Sequence, residues 1–273
     1  MPINGFDMYY EVIGSGPPVV CSTGWGTGTG HKVAAYPPGL TDEFQLIVYD
    51  HRGVGRSNGG LDREPSTELY ADDLAALMRG LGLERAAVFG RGGLGGCIAQ
   101  RLAIQHPDLV SGAIFAQSWV YADALLQAQF TTLSELRRRS FEEFQLACSW
   151  MCHLPSYFAE HRDEIVSPTG PWTDIRDAVD AHLALIEASA RHDTRDELSG
   201  VTCPTLVVHT GPRDWITGER LGDELLRWLP NARSVHLEYA PHAVATHAPS
   251  WATFQAAVFE FLRDQPSTKE SAP

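Results

Sequence analysis

Short apolar runs alternating with segments of helical period restrict this chain most. Residues 19–22, 45–49, 86–89 and 110–115 are mainly Val, Ile, Leu, Phe and Ala without regular polar alternation. Residues 69–81 and 97–106, between them, carry apolar side chains at a 3.6-residue spacing. A strand without alternation is buried on both faces, which is the situation of a parallel strand covered by helices. Parallel neighbours need crossovers, and the helical segments supply them. The first half is therefore expected to build β-α-β units of an α/β fold, preceded by an amphipathic strand at 8–12.

Residues 119–198 break the rhythm. They read as several helices rich in aromatic side chains (Trp119, Phe130, Phe141, Phe144, Trp150, Tyr157, Phe158, Trp172), with no strand between them. Strand and helix signals resume at 205–209, 221–229, 234–237 and 251–262. The expected organisation is a first core segment over 1–118, a helical cap over 119–198, a second core segment over 199–263 and a disordered tail over 264–273.

Charge narrows the partners. Lys and Arg total 21 against 34 Asp and Glu, a net charge of −13. Such a surface repels phosphate backbones and anionic lipid, so neither nucleic acid nor a membrane is expected as partner, and a small-molecule substrate is. No segment reaches membrane-spanning length, and the first residues show no secretory pattern, which places the chain in the cytoplasm. Its five scattered cysteines suit a reducing compartment. Cys148, Cys152 and His153 cluster at helical spacing but lack a second ligand pair, so no metal is expected.

Several motifs occur in an order that resembles the α/β-hydrolase superfamily over nearly the whole chain, with 3-oxoadipate enol-lactonases among the most similar members. They are GSGPPVV leading into Ser22-Thr23-Gly24-Trp25-Gly26, the YDHRGVGRS turn at 49–57, the VTCPTLVVHTGPRD strand and turn, and EYAPHA near the end. The resemblance implies a mostly parallel sheet flanked by helices with a helical cap inserted. It also implies Asp214 as catalytic acid, His242 as catalytic histidine, and the backbone amides of Trp25 and Leu94 as the oxyanion hole. Thr23 stands where the family has histidine before the oxyanion glycine. Asp50, Arg52 and Ser57 are expected to shape a turn.

The family's Gly-x-Ser-x-Gly elbow holds its serine at a tight strand-to-helix corner. Here the stretch is Phe89-Gly90-Arg91-Gly92-Gly93-Leu94-Gly95-Gly96-Cys97. Counting back from the helix puts Gly93 at the nucleophile position, and counting forward from the strand puts Gly92 there. Neither register supplies serine, cysteine or aspartate. Losing the nucleophile of a serine hydrolase costs about a million-fold in turnover, roughly 8 kcal/mol. Cys21, Ser22 and Cys97 are the conceivable substitutes. Arg91 reads as a surface charge or an anion contact, and His31 as a solvated loop residue.

The expected function is accordingly a cofactor-free, non-hydrolytic enzyme in which the Asp214–His242 dyad moves a proton on a bulky aromatic or polyketide-like metabolite. C–C bond formation, cyclisation or lyase chemistry in natural-product biosynthesis would follow. One alternative is a hydrolase in which His242 activates a water, held in the space a serine side chain would fill, against a reactive ester or lactone. Others are a non-catalytic ligand-binding protein and a cofactor-independent oxygenase.

Overall fold

The computed structural model describes residues 1–265, apart from the side chain at position 31. A short hairpin, β1 (Pro2–Ile3) and β2 (Phe6–Asp7), precedes the first strand of the main sheet, β3 (Tyr10–Ile13). Then follow β4 (Pro18–Ser22), α1 (Leu40–Glu43), β5 (Gln45–Tyr49), α2 (Thr67–Gly80), β6 (Ala86–Gly90), α3 (Leu94–Gln105) and β7 (Val110–Ala116). Four helices come next: α4 (Ala124–Arg139), α5 (Phe141–Cys152), α6 (Pro155–Ile165) and α7 (Val179–Arg191). The chain returns through β8 (Thr205–Thr210), α8 (Gly218–Trp228), β9 (Arg233–Leu237) and α9 (Ala248–Arg263).

The seven-stranded sheet has the order β3-β5-β4-β6-β7-β8-β9. Its edge strand β3 is antiparallel to β5, with Tyr10 opposite Tyr49, and the remaining neighbours are parallel. The expected α/β-hydrolase architecture, a mostly parallel sheet flanked by helices, is therefore present.

The apolar runs are explained by two cores, one on each face. Val20, Ile47, Val88, Phe115 and Val207 pack with Leu74 and Leu77 of α2 and Ile98 and Leu102 of α3. Their sequence neighbours Val19, Leu46, Phe89, Ile114 and Leu206 pack with Phe254, Val258 and Phe261 of α9. Each buried side chain of this size stabilises the fold by about 1.5–3 kcal/mol, so a polar residue on either face of a central strand is disfavoured.

Local signals set the helix ends. The Ser66 hydroxyl caps α2 by accepting from the Leu69 amide at 3.1 Å. Helix α3 begins at Leu94, earlier than the apolar period that starts at Cys97, because glycines in its first turn carry no hydrophobic signal. In the four-helix stretch, Trp119, Phe130, Leu133, Phe144 and Ile186 form a third cluster. No strand occurs among the described residues between β7 and β8.

Because β4 lies between β5 and β6, the winding of the sheet reverses there. Such a reversal opens a crevice at the carboxyl ends of the strands. The segments after β4, β6, β7, β8 and β9 converge on that end. Of the expected tail, Asp264 pairs with Arg233 at 2.7 Å, and residues 266–273 lie outside the described residues. No described helix is long and apolar enough to cross a membrane.

Candidate active site

Gly93, rather than Gly92, stands at the corner immediately before α3, with φ 74° and ψ −91°. That positive φ favours glycine. A Cβ added at Gly93 would lie 2.8 Å from Trp119 Cζ3 and 3.2 Å from Cη2. Trp119 is only 2% exposed and packs against Phe130, so the ring is not free to swing away. The space expected above the corner is thus partly filled by an indole. Gly24 has a still closer neighbour, since a Cβ there would meet the Gly92 carbonyl oxygen at 2.4 Å. Only the lack of a side chain at Gly24 lets the loop carrying Trp25 lie against the turn carrying Leu94.

Asp214, after β8, and His242, after β9, meet at 3.1 Å through Oδ2 and Nδ1. An ionised carboxylate only accepts, so Nδ1 carries the proton and Nε2 is left as the basic nitrogen. The carboxylate is held from every side. Oδ2 also accepts from the hydroxyls of Thr210 at 2.7 Å and Thr217 at 2.6 Å, and Oδ1 from the amides of Ile216 at 2.9 Å and Thr217 at 3.0 Å. Burial alone would raise the pKa of Asp214, but the His242 charge and these hydrogen bonds outweigh it and hold the carboxyl well below the usual range.

His242 lines a cavity of about 380 Å³ that also reaches Trp25, Gly93, Leu94, Trp119 and Trp172. Leu94 is the first residue of α3, and its amide has no acceptor within the helix. Neither that amide nor the amide of Trp25 donates to an acceptor among the described residues. Two free donors near an imidazole suit the stabilisation of a developing oxyanion.

The conceivable substitute nucleophiles are poorly placed. Ser22 is fully buried and its hydroxyl pairs with that of Tyr49 at 3.0 Å. Burial pushes the Cys21 thiol up to about 12, and it raises the Cys97 thiol as well. Neither forms a thiolate near neutral pH. Asp50 accepts from the Gly28 amide and the Thr29 hydroxyl, both at 3.0 Å, while Ser57 donates to its carbonyl at 2.7 Å. Arg52 makes a buried pair with Asp73. These residues tie the turn to its surroundings. Thr23 does line the cavity.

Sequence reasoning missed several cavity residues. Gln117 follows β7 with a positive φ of 56°, and its side-chain amide donates to Asp214 at 3.3 Å and to the His242 carbonyl at 2.7 Å. Its position just past a central strand was the available signal, because functional groups gather at carboxyl ends. His153 donates from Nδ1 to the Ser149 carbonyl at 2.7 Å and lines the cavity. Tyr36 lines it too, and so does Arg91, which the sequence offered as a surface charge or an anion contact.

A profile of the alpha/beta hydrolase fold family matches residues 17–249. The chain belongs to this family. A protein of Rhizobium rhizogenes named "Putative carbamate hydrolase RutD" is 30% identical over 268 residues, covering 94% of this chain and 98% of its own length. A protein of the same name from Azorhizobium caulinodans is 28% identical over 251 residues, covering 89% and 91%. The structure of an enol-lactonase from Burkholderia xenovorans superposes with a TM-score of 0.77 at 22% identity, covering 96% and 98% of the two chains. That likeness shows the shared fold.

These relatives correct the expectation of C–C bond formation, cyclisation or lyase chemistry in natural-product biosynthesis. Hydrolase-fold relatives named as hydrolases point to hydrolytic chemistry. The physical reason lies at the corner. Glycine at the corner is compatible with hydrolysis, because a histidine base can activate water without a covalent intermediate.

Proposed function

We propose that the chain is a hydrolase in which water attacks the substrate carbonyl directly. His242 Nε2 takes a proton from that water, and Asp214 fixes the imidazole tautomer and stabilises its protonated form. The amides of Trp25 and Leu94 receive the developing oxyanion. Collapse of the tetrahedral intermediate expels the leaving group, to which His242 returns the proton. With glycine at position 93, no acyl-enzyme forms there. The observation that carries this reading is the 3.1 Å Asp214–His242 pair bordering a cavity whose corner residue has no side chain.

Carbamates are the substrate class to try first, a choice supported by the names of the relatives, and activated esters and lactones follow because the same water attack would cleave them. The aromatic walls, Trp25, Trp119, Phe130 and Trp172, favour a bulky, flat group on the substrate. Helices α4 to α7, within 119–198, act in this reading as a cap, with core segments at 1–118 and 199–263. The five unpaired cysteines support a reducing, cytoplasmic setting.

Hydrolysis in ¹⁸O-labelled water with intact-mass sampling tests the route. Label should enter the acid product in a single turnover, with no covalent adduct at any time. His242→Ala should lower turnover by ~10²–10⁴-fold. An acyl-enzyme adduct, or a fully active His242→Ala variant, would refute direct water attack.

A further inference from the structure

The walls of the cavity are unevenly charged. Although the protein carries a net charge of −13, no Asp or Glu among the described residues lines the cavity, while Lys32 and Arg91 do. Lys32 is already paired with Asp174 at 3.2 Å. Arg91 has no carboxylate partner and no side-chain acceptor among the described residues. Its backbone is fixed beside the corner, donating to the Ser22 carbonyl at 3.0 Å, and its guanidinium lies 5.4 Å from the centre of the Tyr36 ring. The Tyr36 side chain is 3% exposed; its hydroxyl is buried toward the Cys21 thiol, so the ring rather than the hydroxyl is what it offers to Arg91.

A partly desolvated guanidinium without a counter-charge is costly, and the cost falls when a ligand supplies a negative charge and oxygen lone pairs. The planar fork of arginine matches a carboxylate.

We infer that Arg91, its guanidinium held beside the Tyr36 ring, forms a carboxylate subsite in the cavity, so that the substrate carries an acid group besides the bond that is cleaved. The inference rests on the hydrolase reading for the identity of the reacting group. The subsite itself binds an anion whether or not turnover occurs. Cleavage at the His242 side and anchorage at Arg91 then make the enzyme selective for half-esters, acidic lactones or carbamates of amino acids over their neutral analogues.

Isothermal titration with hexanoate and with hexanamide, which share a chain length and differ in charge, tests the subsite without catalysis. The protein should bind hexanoate at least tenfold more tightly than hexanamide. Arg91→Met should abolish that preference while leaving the affinity for hexanamide unchanged. His242→Ala should keep the preference, so a failed hydrolysis assay with intact anion selectivity would sink the mechanism and leave the subsite standing. Equal affinity of the unmodified protein for both probes, or no binding of either, would overturn the assignment. So would tighter binding of inorganic phosphate than of hexanoate. If Arg91→Met does not fold, Arg91→Lys serves instead: it retains the charge without the fork and should lose several-fold in hexanoate affinity, and unchanged affinity would count against the subsite.

Discussion

Around Asp214 the available donors have converged, whereas Arg91 stands without a counter-charge. The carboxylate on the first side takes hydrogen bonds from His242, Gln117, Thr210, Thr217 and two backbone amides. On the second, Arg91 has the Tyr36 ring beside it and no acid among the described residues. A group that must stay charged and still through many turnovers needs a complete shell. A group that recognises a ligand must leave part of its shell open. In the proposed reading the two walls of one cavity divide the labour between reaction and recognition.

The largest effect should come from breaking the complete shell at its centre. Asp214→Asn keeps the shape but donates a proton where Nδ1–H needs an acceptor, and the histidine then shifts to the wrong tautomer. Turnover should fall by up to about 10⁴-fold. The same variant reports on acid stability. The pKa of Asp214 is depressed in the folded state. Its stabilisation is therefore complete above the unfolded value of about 4 and is lost as pH falls below it toward the folded value. Calorimetric melting points of Asp214→Asn should decline less steeply with acidification below about pH 4 than those of the unmodified protein. Parallel slopes would mean that the shell contributes nothing to the linkage.

A smaller effect is expected at the corner between the walls. Gly93→Ser would restore the hydroxyl of the family elbow, but its Cβ must displace the Trp119 ring from a 2.8 Å contact. Overpacking of this kind costs about 1–3 kcal/mol, and the left-handed backbone adds strain. Denaturant melts should show that loss for Gly93→Ser and partial recovery in the double variant with Trp119→Phe. An acyl-enzyme formed on an activated ester by the double variant would mean that dyad and oxyanion donors are positioned for a serine as well as for water. If Gly93→Ser alone is as stable as the parent, the Trp119 contact is not the constraint described above.

How much of this was legible in the sequence follows from the range of the interactions. The central strands could be read because burial on both faces leaves an unbroken apolar run. Asp214 and His242 could be placed because each follows a recognisable strand and matches a family pattern. The first turn of α3 was obscured by glycines, which have no side chain to mark a face. Tyr36 sits just past an irregular 3-10 segment at Gly30–Ala35, and nothing local announces that it meets Arg91. The meeting of Trp119 with Gly93 likewise joins segments separated by a helix and a strand. Chemistry was the hardest step. Glycine at the expected elbow argues against one route, and the choice among the others rests on relatives named as hydrolases.

Gln117 gives the finest probe of the complete wall, because it connects the two members of the dyad without being either. Its amide donates to the Asp214 carboxylate at 3.3 Å and to the His242 carbonyl at 2.7 Å. Gln117→Leu would retain much of the volume and remove both bonds, leaving the Asp214 shell with its two threonine hydroxyls and two amides. A neutral hydrogen bond contributes about 0.5–1.5 kcal/mol, and one to a charged group ~1.5–3 kcal/mol. Because the donor to Asp214 is long and other donors remain, the expected loss lies toward the lower end, about tenfold in kcat with KM little changed. The split distinguishes positioning from binding: a residue that orients His242 alters the chemical step, whereas one that contacts substrate alters KM. Gln117→Glu sharpens the same point, since a second carboxylate beside Asp214 would repel it and make the loss in kcat grow as pH rises through the carboxylate range. A rise in KM alone for Gln117→Leu would move this residue from the reacting wall to the recognition wall.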